Sequence, residues 1–360
     1  SKEQIDIVFF SPGVVNLYEN RGGWFRENKD FEDLVSSSLH QPNPTTFKYG
    51  DSDFDFVSGR FFQPVSFDYN KDRLPDIFIA AELGANLLLK NKGDFRFENA
   101  TREAGLNYSG SGMGVDVTDY NGDGLLDIFV DNILEDFILE NLGDGTFVSR
   151  SDIKLGAIGV GWGVSFVDYD LDGWDDIYIT NGDFGGLAKI PLFMSERFLF
   201  RADKLYKNNA GRSFEDTSWS DTCMDSQTGK SLAISDYDND GDPDIFVGNL
   251  NDKTKFIPKN PYGNVFYKNK TKGKNYIKIH LEGGRSNTMG VGSVVSVTSG
   301  ERTQTKVALL GNSLYSQNSR DLIFGLGDRD EAVDVTIEWP SGIDTHLKGV
   351  EINQHLVIHE

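Results

Sequence analysis

One nine-residue pattern occurs four times in this chain, and it limits the possible folds more than any other feature. Its fullest copy is residues 168–176, DYDLDGWDD. Asp168, Asp170, Asp172 and Asp176 take positions 1, 3, 5 and 9, and Gly173 takes position 6. Carboxylates so close repel one another unless a cation lies between them. Oxygen-only ligands on a short loop suit a hard ion of calcium size. Glycine supplies the positive φ that lets the chain curl round it. The other copies are residues 68–76 (DYNKDRLPD), 119–127 (DYNGDGLLD) and 236–244 (DYDNDGDPD). They add Asp68, Asn70, Asp72 and Asp76; Asp119, Asn121, Asp123 and Asp127; and Asp236, Asp238, Asp240 and Asp244 as ligands. About four Ca2+ ions are expected, with the first loop's hold weakened because Arg73 replaces the glycine.

Each loop runs straight into an apolar strand with an aromatic or bulky centre: Ile77–Ile79, Ile128–Val130, Ile177–Ile179 and Ile245–Val247. A strand such as Gly163–Val167 leads in, and an asparagine-bearing hairpin follows, ending at Asn91, Asn141, Asn208 or Asn269. The loops start 51, 49 and 68 residues apart, the last interval holding an insertion. Repeats of this length, built from short strands and turns, mark propeller blades. An all-β fold is expected: a β-propeller, seven-bladed, with calcium-binding blade loops. The stretch Ile7–Phe10, Leu17–Asn20, Phe25 matches the later strands of one repeat without its first strand. Either this segment is truncated or a C-terminal strand closes the ring. Residues 30–35 suit a short helix, and Asp51, Asp53 and Asp55 read as surface loop.

Charge narrows the partners. The net charge is −21, and the four ligand quartets hold fourteen of the acids. Four divalent ions would leave roughly −13, which still disfavours nucleic acid or an anionic membrane. The single cysteine, Cys223, permits no internal disulfide, and bound metal can serve as the staple instead. No stretch is long enough to span a membrane. Loops of moderate calcium affinity fill most readily outside the cytoplasm. An extracellular or periplasmic location is expected, with a signal peptide already removed from ahead of Ser1.

After residue 274 the acidic loops stop, while alternating strands continue: 276–281, 294–298, 305–309, 333–339 and 355–359. The loops and the strands that follow them resemble the FG-GAP/VCBS repeats of integrin-α-type calcium propellers. Gly290, Gly292, residues 314–319 (LYSQNS), 324–327 (FGLG) and 337–342 (IEWPSG) resemble the ASPIC/UnbV module. That module follows such repeats in proteins similar to cartilage acidic protein, the CRTAC group. The resemblance implies a calcium-stabilised propeller over 1–273 and an ASPIC/UnbV module over 274–360, either completing the last blades or standing as a separate β-sandwich. It implies export, and no single activity.

Chemistry beyond the loops is sparse. There is no zinc spacing, Walker loop or nucleophile elbow. Gly110, Gly112, Gly114 and Gly159, Gly161, Gly163 precede strands and suit close packing near a propeller axis. His280, His355 and His359 fall in strands and read as structural or exposed; His40 lies in an excursion. Tyr315 and Arg320 flank the SQNS turn, and Asp116, Asp131 and Asp175 are acids able to reach a central channel. The apolar insertion 183–204 reads as packing or as a lid; residues 251–264 form a second, basic insertion. Two functions of different class stay open. One is a calcium-stabilised extracellular binding or adhesion module for a protein, glycan or small-molecule ligand. The other is a propeller enzyme (lyase, dehydratase, cyclase or alkylating type) with an axial pocket under 183–204. A deep axial pocket with a desolvated His, Tyr, Arg or Asp discriminates them.

Overall fold

The computed structural model describes residues 7–11, 14–20, 25–39, 46–49, 52–55, 60–106, 109–132, 136–153, 155, 160–182, 202–221, 225, 227–250 and 263–360. His40, Cys223 and most of both insertions lie outside them. The chain is nearly all-β and forms a β-propeller from antiparallel blade sheets.

Three blades have four strands in simple succession. They are 60–67, 76–85, 87–91, 97–99; then 115–118, 127–130, 137–141, 147–149; then 161–167, 176–181, 204–208, 214–216. The first of these also pairs 109–111 with its second strand. A fourth blade has 229–235, 244–249 and 265–267, and the N-terminal strands Ile7–Ser11, Val14–Asn20 and Phe25–Glu27 repeat the same succession. Every acidic loop joins a blade's first strand to its second, and its position-9 aspartate is the first residue of that second strand.

Burial explains why the second strands are apolar throughout. In 127–130, Ile128 and Val130 pack toward the preceding blade while Phe129 packs toward the next. Ile177 and Ile179 likewise face one neighbour and Tyr178 the other. Strand side chains alternate between faces, so a sheet sandwiched between two others needs apolar residues at every position. Phe129 and Tyr178 are fully buried, each contributing roughly 1.5–3 kcal/mol. In the fourth blade the equivalent Phe246 is 41% exposed.

The helix expected near 30–35 spans Lys29–Leu39. Asn28 caps it, its Oδ1 accepting from Phe31 N at 3.1 Å. Phe31 and Val35 pack on the first complete blade. The stretch around Asp53 and Asp55 differs from the expected loop: Thr46–Tyr49 pairs with Ser52–Asp55 as a hairpin. Its alternation of acid and apolar residues is a strand period in its own right.

The C-terminal strands follow another order. Strand 275–282 lies between 322–327, antiparallel, and 354–359, parallel. A second sheet runs 302–307, 294–299, 333–338, 344–350. Ile277, Ile279, Val295, Val297, Phe324, Ile337 and Trp339 form one core between the two sheets.

Candidate metal centre at the blade loops

The loops fold alike because each acid accepts from the backbone just ahead of it. The position-1 carboxylate accepts from position 6: Arg73 N at 2.6 Å, Gly124 N at 2.9 Å, Gly173 N at 2.9 Å and Gly241 N at 3.2 Å. Position 5 accepts from position 7 in Asp72, Asp123 and Asp172. Positions 4 and 6 have positive φ in all four copies: Lys71 and Arg73, Gly122 and Gly124, Leu171 and Gly173, Asn239 and Gly241. Only position 6 was visible as a glycine rule; position 4 varies in residue type and carried no signal.

The position-9 aspartates bind two strands together. One oxygen of each accepts from the hairpin asparagine: Asn91, Asn141, Asn208 and Asn269 N at 2.7–2.8 Å. Those asparagines reach further. Nδ2 of Asn141, Asn208 and Asn269 donates to the carbonyl of Tyr69, Tyr120 and Tyr169, the position-2 residue of the preceding blade's loop, at 2.9, 3.0 and 2.7 Å. The loop and the blade-to-blade joint are therefore one hydrogen-bonded unit.

The structure gathers Asp168, Asp170 and Asp176 so that one oxygen from each lies within 4.8 Å of the others, and it does the same for Asp236, Asp238 and Asp244. Among the described residues the acids of the first two loops do not gather that closely. Burial raises Asp76 and Asp168 to about 8 and Asp127 to about 9, and holds Asp176 well above the usual carboxylate range. Neighbouring carboxylates push in the same direction. Such a group gains most from a cation, which reverses both effects. Oδ1 of Asp168 and Oδ2 of Asp127 are buried without a hydrogen-bond partner, an open acceptor of the kind a hard ion fills. These donor sets fit a calcium-sized ion.

Two lysines share these clusters. Lys207 Nζ bonds Asp170 and lies 3.2 Å from Asp172; Lys268 Nζ bonds Asp238 and lies 3.5 Å from Asp240. The C-terminal sheets cover the same face. Asp168 Oδ2 accepts from Gly325 N at 3.1 Å, Arg302 stacks on Trp174 at 3.6 Å, and Lys278 meets Asp236 at 2.6 Å in a fully buried pair. Arg73 pairs with Asp344 at 3.1 Å.

The segment Leu309–Asp321, which contains the SQNS turn, lies against the first strands of several blades. Leu314 packs with Met113, Val160 and Trp162. Ser316 Oγ bonds Leu232, Asn318 Oδ1 accepts from Ile234 N at 2.9 Å, and Asn318 Nδ2 donates to Ser165 at 2.7 Å. A cavity of about 100 Å³ is left beside it, lined by Asp116, Asp175, Lys306 and Asn318 among others. Asp175 bonds Lys306 at 2.5 Å and Thr118 at 2.6 Å. Asp116 and Asp175 thus share one cavity. Asp131 lies elsewhere, fully buried against Gly161, where an added Cβ would stand 1.7 Å from its Oδ1. Gly114 is similarly pressed on Trp162 O, as the close-packing reading of these glycines expects.

The opposite end of each blade carries a clamp that spacing did not reveal. The residue just before the third strand accepts from the second strand or the chain just after it: Asn86 from Ala81 N, Asp136 from Asn132 N, Asp203 from Asn181 N and Asn264 from Asn249 N, at 2.9–3.0 Å. It closes hairpins whose partners are 5, 4, 22 and 15 residues apart, so sequence spacing could not align them.

Fold and loops together define a propeller whose blades carry acidic turns at one end. The family comparison specifies the repeat: FG-GAP-like repeats match residues 68–130 and 135–179, and an ASPIC and UnbV domain matches 283–360. The chain is an FG-GAP-repeat propeller with a C-terminal ASPIC/UnbV domain. A search of curated protein sequences found no significant match. Among solved structures, the chain is similar to an Agrocybe aegerita lectin described as recognising non-reducing terminal N-acetylglucosamine, at 20% identity and TM-score 0.37. The match covers 72% of this chain and 64% of the lectin's. An AofleA mutant from Arthrobotrys oligospora matches at 8% identity and TM-score 0.31, covering 81% and 85%. The Dos1 propeller matches at 11% identity and TM-score 0.31, covering 85% and 72%. Among the described residues, no helix is long and apolar enough to cross a membrane.

Proposed function

We propose that this chain is a calcium-stapled binding module, exported to a calcium-rich compartment, with a propeller over 1–273 and an ASPIC/UnbV module over 274–360. The four quartets at positions 1, 3, 5 and 9 hold the ions. The observation that carries the reading is the third loop: three gathered carboxylates, one with a buried and unpartnered oxygen. The ions are structural, since the loops sit where adjacent blades and the C-terminal sheets meet. The enzyme alternative places its pocket under 183–204, most of which lies outside the described residues; among the described residues, segment 309–321 lies against the blades' first strands, and the cavity beside it has room for a few waters.

Ligand binding then belongs to the end of the propeller away from the metal loops. Both insertions depart from that end, anchored at Asn181/Asp203 and Asn249/Asn264. Tyr315, 70% exposed, belongs to the segment 309–321 that lies against the blades' first strands. The test is calorimetric titration of Ca2+ into chelator-stripped protein, followed by thermal melting. Binding of several ions with a large rise in Tm supports the staple. Full stability in excess EGTA, with no heat of binding on adding calcium back, rejects it.

A further inference from the structure

We infer that His280, Asp321 and His355 form a second kind of metal site, one for a late first-row divalent ion such as Zn2+, Ni2+ or Co2+. His280 lies on strand 275–282 and His355 on the parallel strand 354–359; the pairing sets His355 beside Lys278 and His280 beside Val357. Asp321 immediately precedes strand 322–327 on the other flank, where Leu322 pairs with Ile279. Ile277, Ile279 and Leu281 point into the core between the sheets. Alternation therefore sends His280 to the opposite face, where two neighbouring strands and the residue leading into a third contribute one ligand each.

His280 Nδ1 lies 2.6 Å and His355 Nε2 3.8 Å from the same oxygen, Asp321 Oδ1. One donor atom from each residue lies within 4.8 Å of the other two. An ion about 2.0–2.1 Å from each ligand places neighbouring ligand atoms roughly 3.3 Å apart, between the two observed distances. The side chains are 20%, 23% and 40% exposed, so an ion can enter and the His355 ring has room to adjust. Imidazoles set the preference: they suit zinc, nickel, copper and cobalt, whereas the blade loops offer oxygen alone and suit calcium. The two sites are therefore separable by metal.

Arg320 acts as the counterweight. Its Nη2 lies 3.4 Å from His280 Nε2. A guanidinium only donates, so it holds Nε2 as the acceptor and leaves the proton on Nδ1, facing Asp321. An ion at Nδ1 moves that proton to Nε2 or to solvent, and its positive charge adds to that of Arg320. The site is of moderate affinity with Arg320 present and tighter without it.

The test titrates Co2+ into the full chain in excess Ca2+, which keeps the blade loops filled, and follows the cobalt visible absorption, with Zn2+ as competitor. One equivalent of Co2+ should bind with imidazole-type bands that Zn2+ removes. His355→Ala and Asp321→Asn should each weaken binding at least about tenfold while leaving the melting temperature in calcium nearly unchanged, and Arg320→Gln should strengthen it severalfold. Absence of saturable cobalt binding overturns the proposal. So does binding that His355→Ala leaves intact, which would assign the ion to the blade loops.

Discussion

The third and first acidic loops share a pattern and differ in surroundings. In the third, Asp168 is buried, Gly173 takes φ +89°, and Gly325 and Arg302 of the C-terminal sheets close over the turn. In the first, Asp68 is half-buried, Arg73 takes the same left-handed conformation at φ +68°, and its side chain reaches out to Asp344. The backbone bonds within both loops are nearly the same. What differs is how far the carboxylates are removed from water, and so how much an ion has to offset. A shared repeat sets geometry, while the neighbours set energy.

Metal removal tests that difference most strongly. An ion held at 100 to 1,000 times its Kd stabilises by about 2.7–4.1 kcal/mol. Asp172→Ala should remove about that much in saturating calcium, and Asp72→Ala about 1 kcal/mol or less. Both losses should shrink in EGTA, where no ion is left to lose. Urea unfolding with and without calcium measures all four values. Equal losses in calcium would break the ranking.

The clamps at the other end give a comparison within one structural role. Asp136 and Asp203 fill it in two blades, Asn86 and Asn264 in two others. Burial raises Asp136 to about 7 and keeps the adjacent Asp131 well above its usual value. A carboxyl whose folded pKa is raised contributes stability that is full below pH 4 and is lost as pH rises through 7. Asp136→Asn keeps the acceptor without the charge. The variant should match the parent below pH 4 and pull ahead progressively as pH rises, by on the order of 3–4 kcal/mol at pH 8. Parallel pH profiles would show that Asp136 has no such role.

The hairpin asparagines extend the contrast at smaller scale. Asn208 Nδ2 donates across the blade joint to Tyr120 O and within its blade to Asp175 O, whereas Asn91 Nδ2 donates to Pro75 O of its own blade. Asn208→Ala leaves two buried carbonyls short of a donor and should cost about 2–3 kcal/mol; Asn91→Ala should cost about 1. Similar values would mean that the inter-blade bond adds nothing.

These features were unevenly legible. Positions 1, 3, 5 and 9 could be read directly, because a cation loop needs its acids at fixed backbone intervals. The propeller followed from their period. The asparagines were visible as a motif, but not their bonds to Tyr69, Tyr120 and Tyr169, since those cross between repeats. The clamps were hidden by insertions of unequal length. His280 and His355 gave no signal at all: 75 residues separate them, and only the parallel pairing of their strands brings both to Asp321. Burial was equally invisible, so Arg73 could be read as a departure from the pattern without showing its outward reach to Asp344.

Arg73→Gly isolates the smallest part of the difference between the loops. The substitution relieves a non-glycine residue at positive φ, a strain of about 1 kcal/mol. It also removes the Asp344 ion pair, exposed on both sides and so contributing roughly 0–1 kcal/mol. Glycine's extra freedom in the unfolded chain opposes the gain by up to about 1 kcal/mol. The three effects nearly cancel, so without calcium the variant should unfold within about 1 kcal/mol of the parent. Calcium affinity of the first loop should rise at the same time, because a cation leaves its vicinity. All four loops carry a tyrosine at position 2, so the first loop is read from tyrosine-sensitised Tb3+ luminescence as the part of the titration that Tyr69→Phe removes. If Tb3+ binds no tighter to the variant, the residue at position 6 does not set the affinity, and burial by the C-terminal sheets alone separates the third loop from the first.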